Sequence, residues 1–139
     1  MNIQQAAQAS GLTTDTIRFY ERGGVVPAPG RAENGYRAYT DKHVLILRLA
    51  NGLRRLRVPL KELTPLLQVA HDGSCGELRE TLGETLDNAL RETDRQMQAL
   101  VEVRQHLVKI LQGIDEMLPG ISEVPGLEPC HCIELLTEA

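Results

Sequence analysis

Between residues 75 and 112 the chain carries a heptad seam that no domain of its size could bury against itself. Positions spaced by seven read Leu86, Thr93, Leu100 and Leu107, and a companion set reads Leu90, Met97, Arg104 and Leu111. Six of these eight residues are apolar, enough to sustain a coiled-coil pattern. A continuous helix over residues 75–112 would be about 57 Å long. The economical way to cover its apolar stripe is a second copy of the same helix, so a homodimer is expected. Aromatic usage agrees with this. Phe19, Tyr20, Tyr36 and Tyr39 are the whole aromatic set, which leaves the second half to pack on aliphatic side chains alone.

Charge divides the chain at nearly the same place. Residues 1–71 hold ten Lys and Arg against five Asp and Glu, a net of +5. Residues 72–139 hold five against fourteen, a net of −9, which gives the whole chain its −4. An acidic total argues against nucleic acid, but a basic half needs only its local field to attract phosphate. No N-terminal apolar stretch follows a basic region, and no run approaches membrane-spanning length. A cytoplasmic protein with no membrane partner is expected.

The basic half reads as a small helical unit. Ile3, Ala6 and Ala7 share one face of a short helix that Ser10-Gly11 stops. Thr13 then offers an N-cap oxygen, Asp15 suits the positive helix start, and Thr16 to Arg22 continues. Two short helices joined by a tight glycine-containing turn form a helix-turn-helix pattern, which Gly23-Gly24 closes. Pro27, Pro29, Gly30 and Gly35 exclude helix from Val25 to Tyr39, and Asn34-Gly35 is a strong hairpin signal. The spacing predicts a two-stranded wing with Arg31 and Arg37 astride its tip and Tyr36 between them. Arg18 and Tyr20 lie on the second helix, so the unit offers DNA two separate grips, one for base edges and one for register. A helix capped by Thr40 or Asp41 follows, with Val44, Leu45, Leu47, Leu49 and Ala50 available to the core and Arg48 facing solvent or DNA. Another helix runs from Pro59 to about His71, and Pro65 within it predicts a kink or a late start. Gly113 is the expected stop of the long helix.

The run Gly11-Leu12-Thr13-Thr14-Asp15-Thr16-Ile17-Arg18-Phe19-Tyr20-Glu21-Arg22-Gly23-Gly24, followed by Arg31 and Asn34-Gly35-Tyr36-Arg37-Ala38-Tyr39, resembles the mercury-resistance-regulator (MerR) family. The resemblance extends from Met1 to about Gln112. It implies a mainly α fold: a winged helix-turn-helix DNA-binding domain with linking helices over residues 1–71, an antiparallel coiled-coil dimerisation helix over 75–112, and a metal-binding loop with a short terminal helix over 113–139. It also implies a mechanism. A homodimer grips double-stranded promoter DNA and, once activated, bends and untwists it so that RNA polymerase can engage. By matching positions, Thr14, Arg18 and Tyr20, with Arg31, Tyr36 and Arg37 on the wing, are the implied DNA contacts. Gly23 stands where the family usually has a larger side chain, which suggests a looser turn into the wing.

Three cysteines are present: Cys75 at the head of the long helix, and Cys130 and Cys132 flanking His131 near the C-terminus. In a reducing compartment an odd number of cysteines suits metal binding or thiol reactivity better than a disulfide framework. The resemblance implies more. In the metal-sensing branch a cysteine opening the dimer helix of one subunit joins loop cysteines of the partner, and a cysteine at Cys75 is similar to the divalent-metal rather than the copper branch. The candidate ligands are therefore Cys75, Cys130 and Cys132, with His131 as a possible fourth. The effector would be a thiophilic divalent ion (Zn, Cd, Hg or Pb). The family spreads its two loop cysteines apart, whereas Cys130 and Cys132 are separated by one residue. A metal-free sensor of oxidants or electrophiles is the alternative within DNA binding. A dithiol oxidoreductase using Cys130 and Cys132 is the distant one, and the chain is not expected to be an enzyme.

Overall fold

A computed structural model describes residues 1–116, which form five helices. They are α1 (Ile3–Ser10), α2 (Thr14–Arg22), α3 (Asp41–Arg55), α4 (Leu60–Asp72) and α5 (Cys75–Glu116). Two units divide within α5, Met1–Arg91 and Glu92–Ala139.

Local chemistry starts each helix of the first unit. Asn2 accepts from the Gln5 N–H while the Gln5 side chain accepts from the Asn2 N–H, a complete capping box for α1. Thr13 caps α2 by accepting from the Thr16 N–H at 3.1 Å, as its position predicted. The end of α2 depends on Gly24, whose φ of 67° lets the Val25 N–H return to the Tyr20 carbonyl at 2.8 Å. Gly23 keeps ordinary right-handed backbone. The turn into the wing is thus closed by a good hydrogen bond and is not loosened by Gly23.

Apolar spacing then builds one core. Ile17 and Tyr20 of α2, Val44, Ile46, Leu47, Ala50 and Leu53 of α3, and Leu63, Leu66 and Leu67 of α4 are buried together with Val25, Val26 and Val58. Leu45, expected in the core, is 62% exposed, and Ile46 takes the inward place. Leu47, Leu63, Leu66 and Leu67 are fully enclosed, each burying about 2 kcal/mol of transfer free energy. Arg48 faces solvent and donates from Nε to the Ala9 carbonyl at 2.7 Å, while Asn51 donates to the Ser10 carbonyl at 3.1 Å. Both side chains satisfy carbonyls at the end of α1 that its own helix cannot. Helix α4 starts on Pro59 and runs through Pro65 without a late start. The bond that Pro65 deletes belongs to Lys61, and both residues are exposed, so water can serve that carbonyl.

Between α4 and α5 the chain passes Gly73, where an added Cβ would sit 2.7 Å from the Val69 carbonyl. Ser74 and Glu77 then exchange backbone and side-chain bonds to open α5. Leu78, Leu82 and Ala89 pack on the core of the first unit, and Thr85 is buried. The helix does not stop at Gly113. It continues to Glu116, four residues beyond the boundary at 112. A helical glycine costs about 1 kcal/mol, but it stops a helix only where the backbone turns left-handed, and Gly113 keeps helical geometry. The remainder of the expected metal-binding loop and the terminal helix lie outside the described residues.

The wing is also simpler than two strands. Among the described residues, strand pairing is confined to one antiparallel bridge between Arg31 and Arg37. The turn is Ala32 to Gly35, closed by the Gly35 N–H to the Ala32 carbonyl at 2.8 Å, with Gly35 at φ 80°. Glycine therefore follows the turn as a left-handed bulge residue instead of occupying its centre beside Asn34.

His43 adds a titratable element to the cap of α3. Thr40 caps the helix, and the Thr40 N–H donates to His43 Nδ1 at 3.2 Å, so that nitrogen must be unprotonated. Burial first, then His71 and Lys42, lower the His43 pKa from its ordinary 6.5, while Glu21 opposes them. With the folded pKa below the unfolded one, the unfolded chain binds the extra proton. Stability is fully present above about pH 6.5 and is lost as pH falls through the folded value. The thermal midpoint of the native chain is expected to drop as pH falls below about 6.5, and His43→Gln to flatten that part of the profile. An identical slope in the variant would assign the loss to other groups.

Candidate nucleic-acid interface and thiol site

Four of the six expected DNA-contact residues converge on one surface feature. Arg18 from α2 and Arg31, Tyr36 and Arg37 from the wing line an open concavity of about 250 Å³, together with Asn2, Ile3 and Gly35. Tyr36 is 75% exposed. Arg18 meets Asp15 at 3.4 Å, but both are solvated, and such a pair holds too weakly to keep Arg18 from a phosphate. Arg31 donates to the Gly35 carbonyl at 3.0 Å, folding its guanidinium over the wing turn. Thr14 is half-buried at the first turn of α2.

Tyr20 is the exception. It is 5% exposed and packs in the core, so its ring builds the fold. Phe19 beside it is 52% exposed. The signal was available, because Ile17 and Tyr20 lie three residues apart on one helix face and leave Arg18 and Phe19 on the other. Asn2 and Ile3, which bring the start of α1 to the concavity, carried no such signal.

Behind the wing lies a polar cluster that sequence reasoning also missed. The Glu21 side chain is 2% exposed. Tyr39 donates its hydroxyl to Glu21 Oε1 at 2.5 Å, and Arg37 Nε lies 3.3 Å from Oε2. The Arg37 approach compensates charge but falls off the line of a hydrogen bond, leaving Oε2 without an aligned donor among the described residues. Burial first, then Glu21 through its hydrogen bond and its charge, push the Tyr39 phenol up, so it remains a donor. The adjoining cavity, shared with His43, is about 10 Å³, room for nothing larger than water. Next to it His71 and Asp72 pair at 2.5 Å. That hydrogen bond, and one from Gln68, hold the Asp72 carboxyl below its usual range.

Cys75 opens α5 as an exposed, free cysteine. Among the described residues no three His, Cys, Asp or Glu side chains gather as a metal cluster. Cys130, His131 and Cys132, the other expected ligands, lie outside the described residues. The donor chemistry suits a soft ion, yet Cys75 is one ligand only, so any site must be completed from elsewhere. No helix among the described residues is long and apolar enough to cross a membrane.

A capped helix-turn-helix with a basic wing and a long helix bearing an exposed apolar seam is the architecture of a DNA-binding regulator. Residues 1–69 match the MerR HTH family regulatory proteins, and the chain belongs to this family. It is 32% identical over 132 residues to the HTH-type transcriptional regulator CueR of Salmonella typhi, covering 95% of this chain and 87% of the relative. It is 30% identical over 104 residues to a ZntR homolog of Haemophilus influenzae, covering 75% and 76% of the two chains. Among solved structures it resembles the transcription regulator PbrR691 of Ralstonia metallidurans CH34 in complex with lead(II). The TM-score is 0.66 at 24% identity, with 86% of this chain and 91% of that one covered.

Proposed function

We propose that the chain is a metal-responsive transcriptional regulator that binds promoter DNA as a homodimer. The convergence of Arg18, Arg31 and Arg37 on one concavity carries the DNA reading. Three cations from two elements give a duplex one rigid, sequence-independent hold, and the exposed face of α2 is left to read bases. In a dimer the hold is doubled, which supplies the anchors needed to deform DNA between two half-sites and so let RNA polymerase engage. Dimerisation is supported by the seam of α5, where Leu86, Leu90, Met97, Leu100, Leu107 and Leu111 are all exposed.

Cys75, Cys130 and Cys132 are the proposed ligands, with His131 available as a fourth. A bound soft ion would supply a cross-link between these thiolates. The ion is proposed to be a divalent one of the Zn, Cd, Hg or Pb class, and that choice rests on the cysteine at position 75. The exposed Cys75 thiol equally favours a second reading, a metal-free sensor of oxidants or electrophiles in the same family.

The test is transcription in vitro from a promoter carrying a duplex that the protein selects from a randomised pool, titrated with each metal. Metal-dependent activation without loss of DNA binding is expected. Activation by an alkylating agent in metal-free buffer, with no response to any metal, would establish the second reading instead.

A further inference from the structure

We infer that Glu21 is a positioning residue of the DNA interface, orienting the wing through Arg37. This rests on the DNA reading above and goes beyond it, because Glu21 faces away from solvent and touches no DNA itself. Its place in the fold carries the inference. Glu21 is the next-to-last residue of α2, so it is fixed to the helix that presents Arg18. Its two carboxylate oxygens reach the two side chains that leave the wing, Oε1 to the Tyr39 hydroxyl at 2.5 Å and Oε2 to Arg37 Nε at 3.3 Å. Arg37 is only partly covered, at 42% side-chain exposure, and lines the concavity with Arg18 and Arg31. A guanidinium engaged at Nε keeps its two terminal amino groups for a phosphate.

The energetics favour orientation over stability as the role of this pair. A carboxylate only 2% exposed pays a large desolvation penalty unless it is fully compensated. Compensation here is incomplete, because Oε2 has no aligned donor among the described residues. What the pair does supply is a fixed distance between the two DNA grips. Without it Arg37 would sample many rotamers and lose that freedom on binding, at the expense of affinity.

The inference predicts a sign opposite to simple electrostatics. Removing one negative charge beside a phosphate-binding surface should tighten DNA binding if charge alone mattered. Glu21→Gln is expected to weaken it roughly tenfold. The amide oxygen can still accept from Tyr39, but its NH₂ meets Arg37 donor against donor. The measurement is a double-mutant cycle of Glu21→Gln and Arg37→Ala, read as the affinity of the full chain for the duplex selected by the native protein. Glu21→Gln is expected to lose affinity with Arg37 present and to have no further effect once Arg37 is alanine. Thermal unfolding controls for the fold, and Glu21→Asp, which keeps the charge but shortens the reach, serves if the glutamine variant does not fold. Unchanged or tighter binding overturns the inference, as does an equal loss in both Arg37 backgrounds. A native chain that binds no duplex would instead overturn the DNA reading, and this inference with it.

Discussion

Replacing Cys75 with serine is expected to abolish the response to metal while leaving operator binding intact. Serine keeps the size of the side chain and the opening of α5, because the cap there is made by Ser74 and Glu77. What it removes is the soft donor. A hydroxyl does not deprotonate near neutral pH and binds thiophilic ions far more weakly than a thiolate. Losing one of the three proposed thiolate ligands should reduce metal affinity on the order of 100-fold. The measurements are the thiolate-to-metal absorbance on titration with Hg(II), and operator affinity with and without metal. The concavity that carries the DNA reading is lined by residues at the start of α1, on α2 and on the wing, away from Cys75 in the chain, so DNA affinity should remain within about twofold of native. Normal activation by metal in the Cys75→Ser protein would remove this residue from the site. Loss of DNA binding instead would mean that the start of α5 shapes the DNA-binding unit.

The second large effect concerns the seam. Leu100 is 68% exposed, on a helix whose pattern makes it the third of four heptad positions from Leu86 to Leu107. If a second copy covers this stripe, Leu100→Lys places an ammonium in an apolar interface with no partner for it. The dimer dissociation constant is expected to rise roughly 100-fold or more. Sedimentation should show monomers at concentrations where the native chain is dimeric, and the same variant should lose tight operator binding, since one grip replaces two. Glu102→Gln, two residues along the helix and off the seam, makes the same unit change in charge and should leave the dimer unaltered. Equal dissociation in both variants would point to net charge as the cause. An unchanged dimer in Leu100→Lys would place the interface on another face.

Much of the fold was legible because its determinants are local. Thr13, Thr40 and the Gly23-Gly24 pair act through bonds within a few residues, so their roles follow from identity and spacing. The heptad seam is equally local in origin, and its prediction of an exposed stripe holds for Leu86 through Leu111. Where two local signals competed, the reading could fail. Gly113 was read as a stop, yet Ile114 continues the spacing of Leu107 and Leu111, and the helix runs on to Glu116. Asn34-Gly35 correctly marked the wing turn but not its form, because the hydrogen bonds that close it depend on Ala32 and Tyr36.

The sequence alone determined the helix-turn-helix, the order of the five helices, the unpartnered seam, and which arginines belong to the wing. Each of these follows from periodicity or capping, which a chain carries with it wherever it packs. Only the tertiary structure brought Asn2 and Ile3 at the start of α1 to the concavity that Arg18 shares with the wing. It alone buried Glu21 and brought Arg37 and Tyr39 to its two oxygens. It also assigned Arg48 and Asn51 to the end of α1. The reason is that burial of a polar group depends on partners from distant segments, and neither propensity nor spacing encodes where those segments will meet.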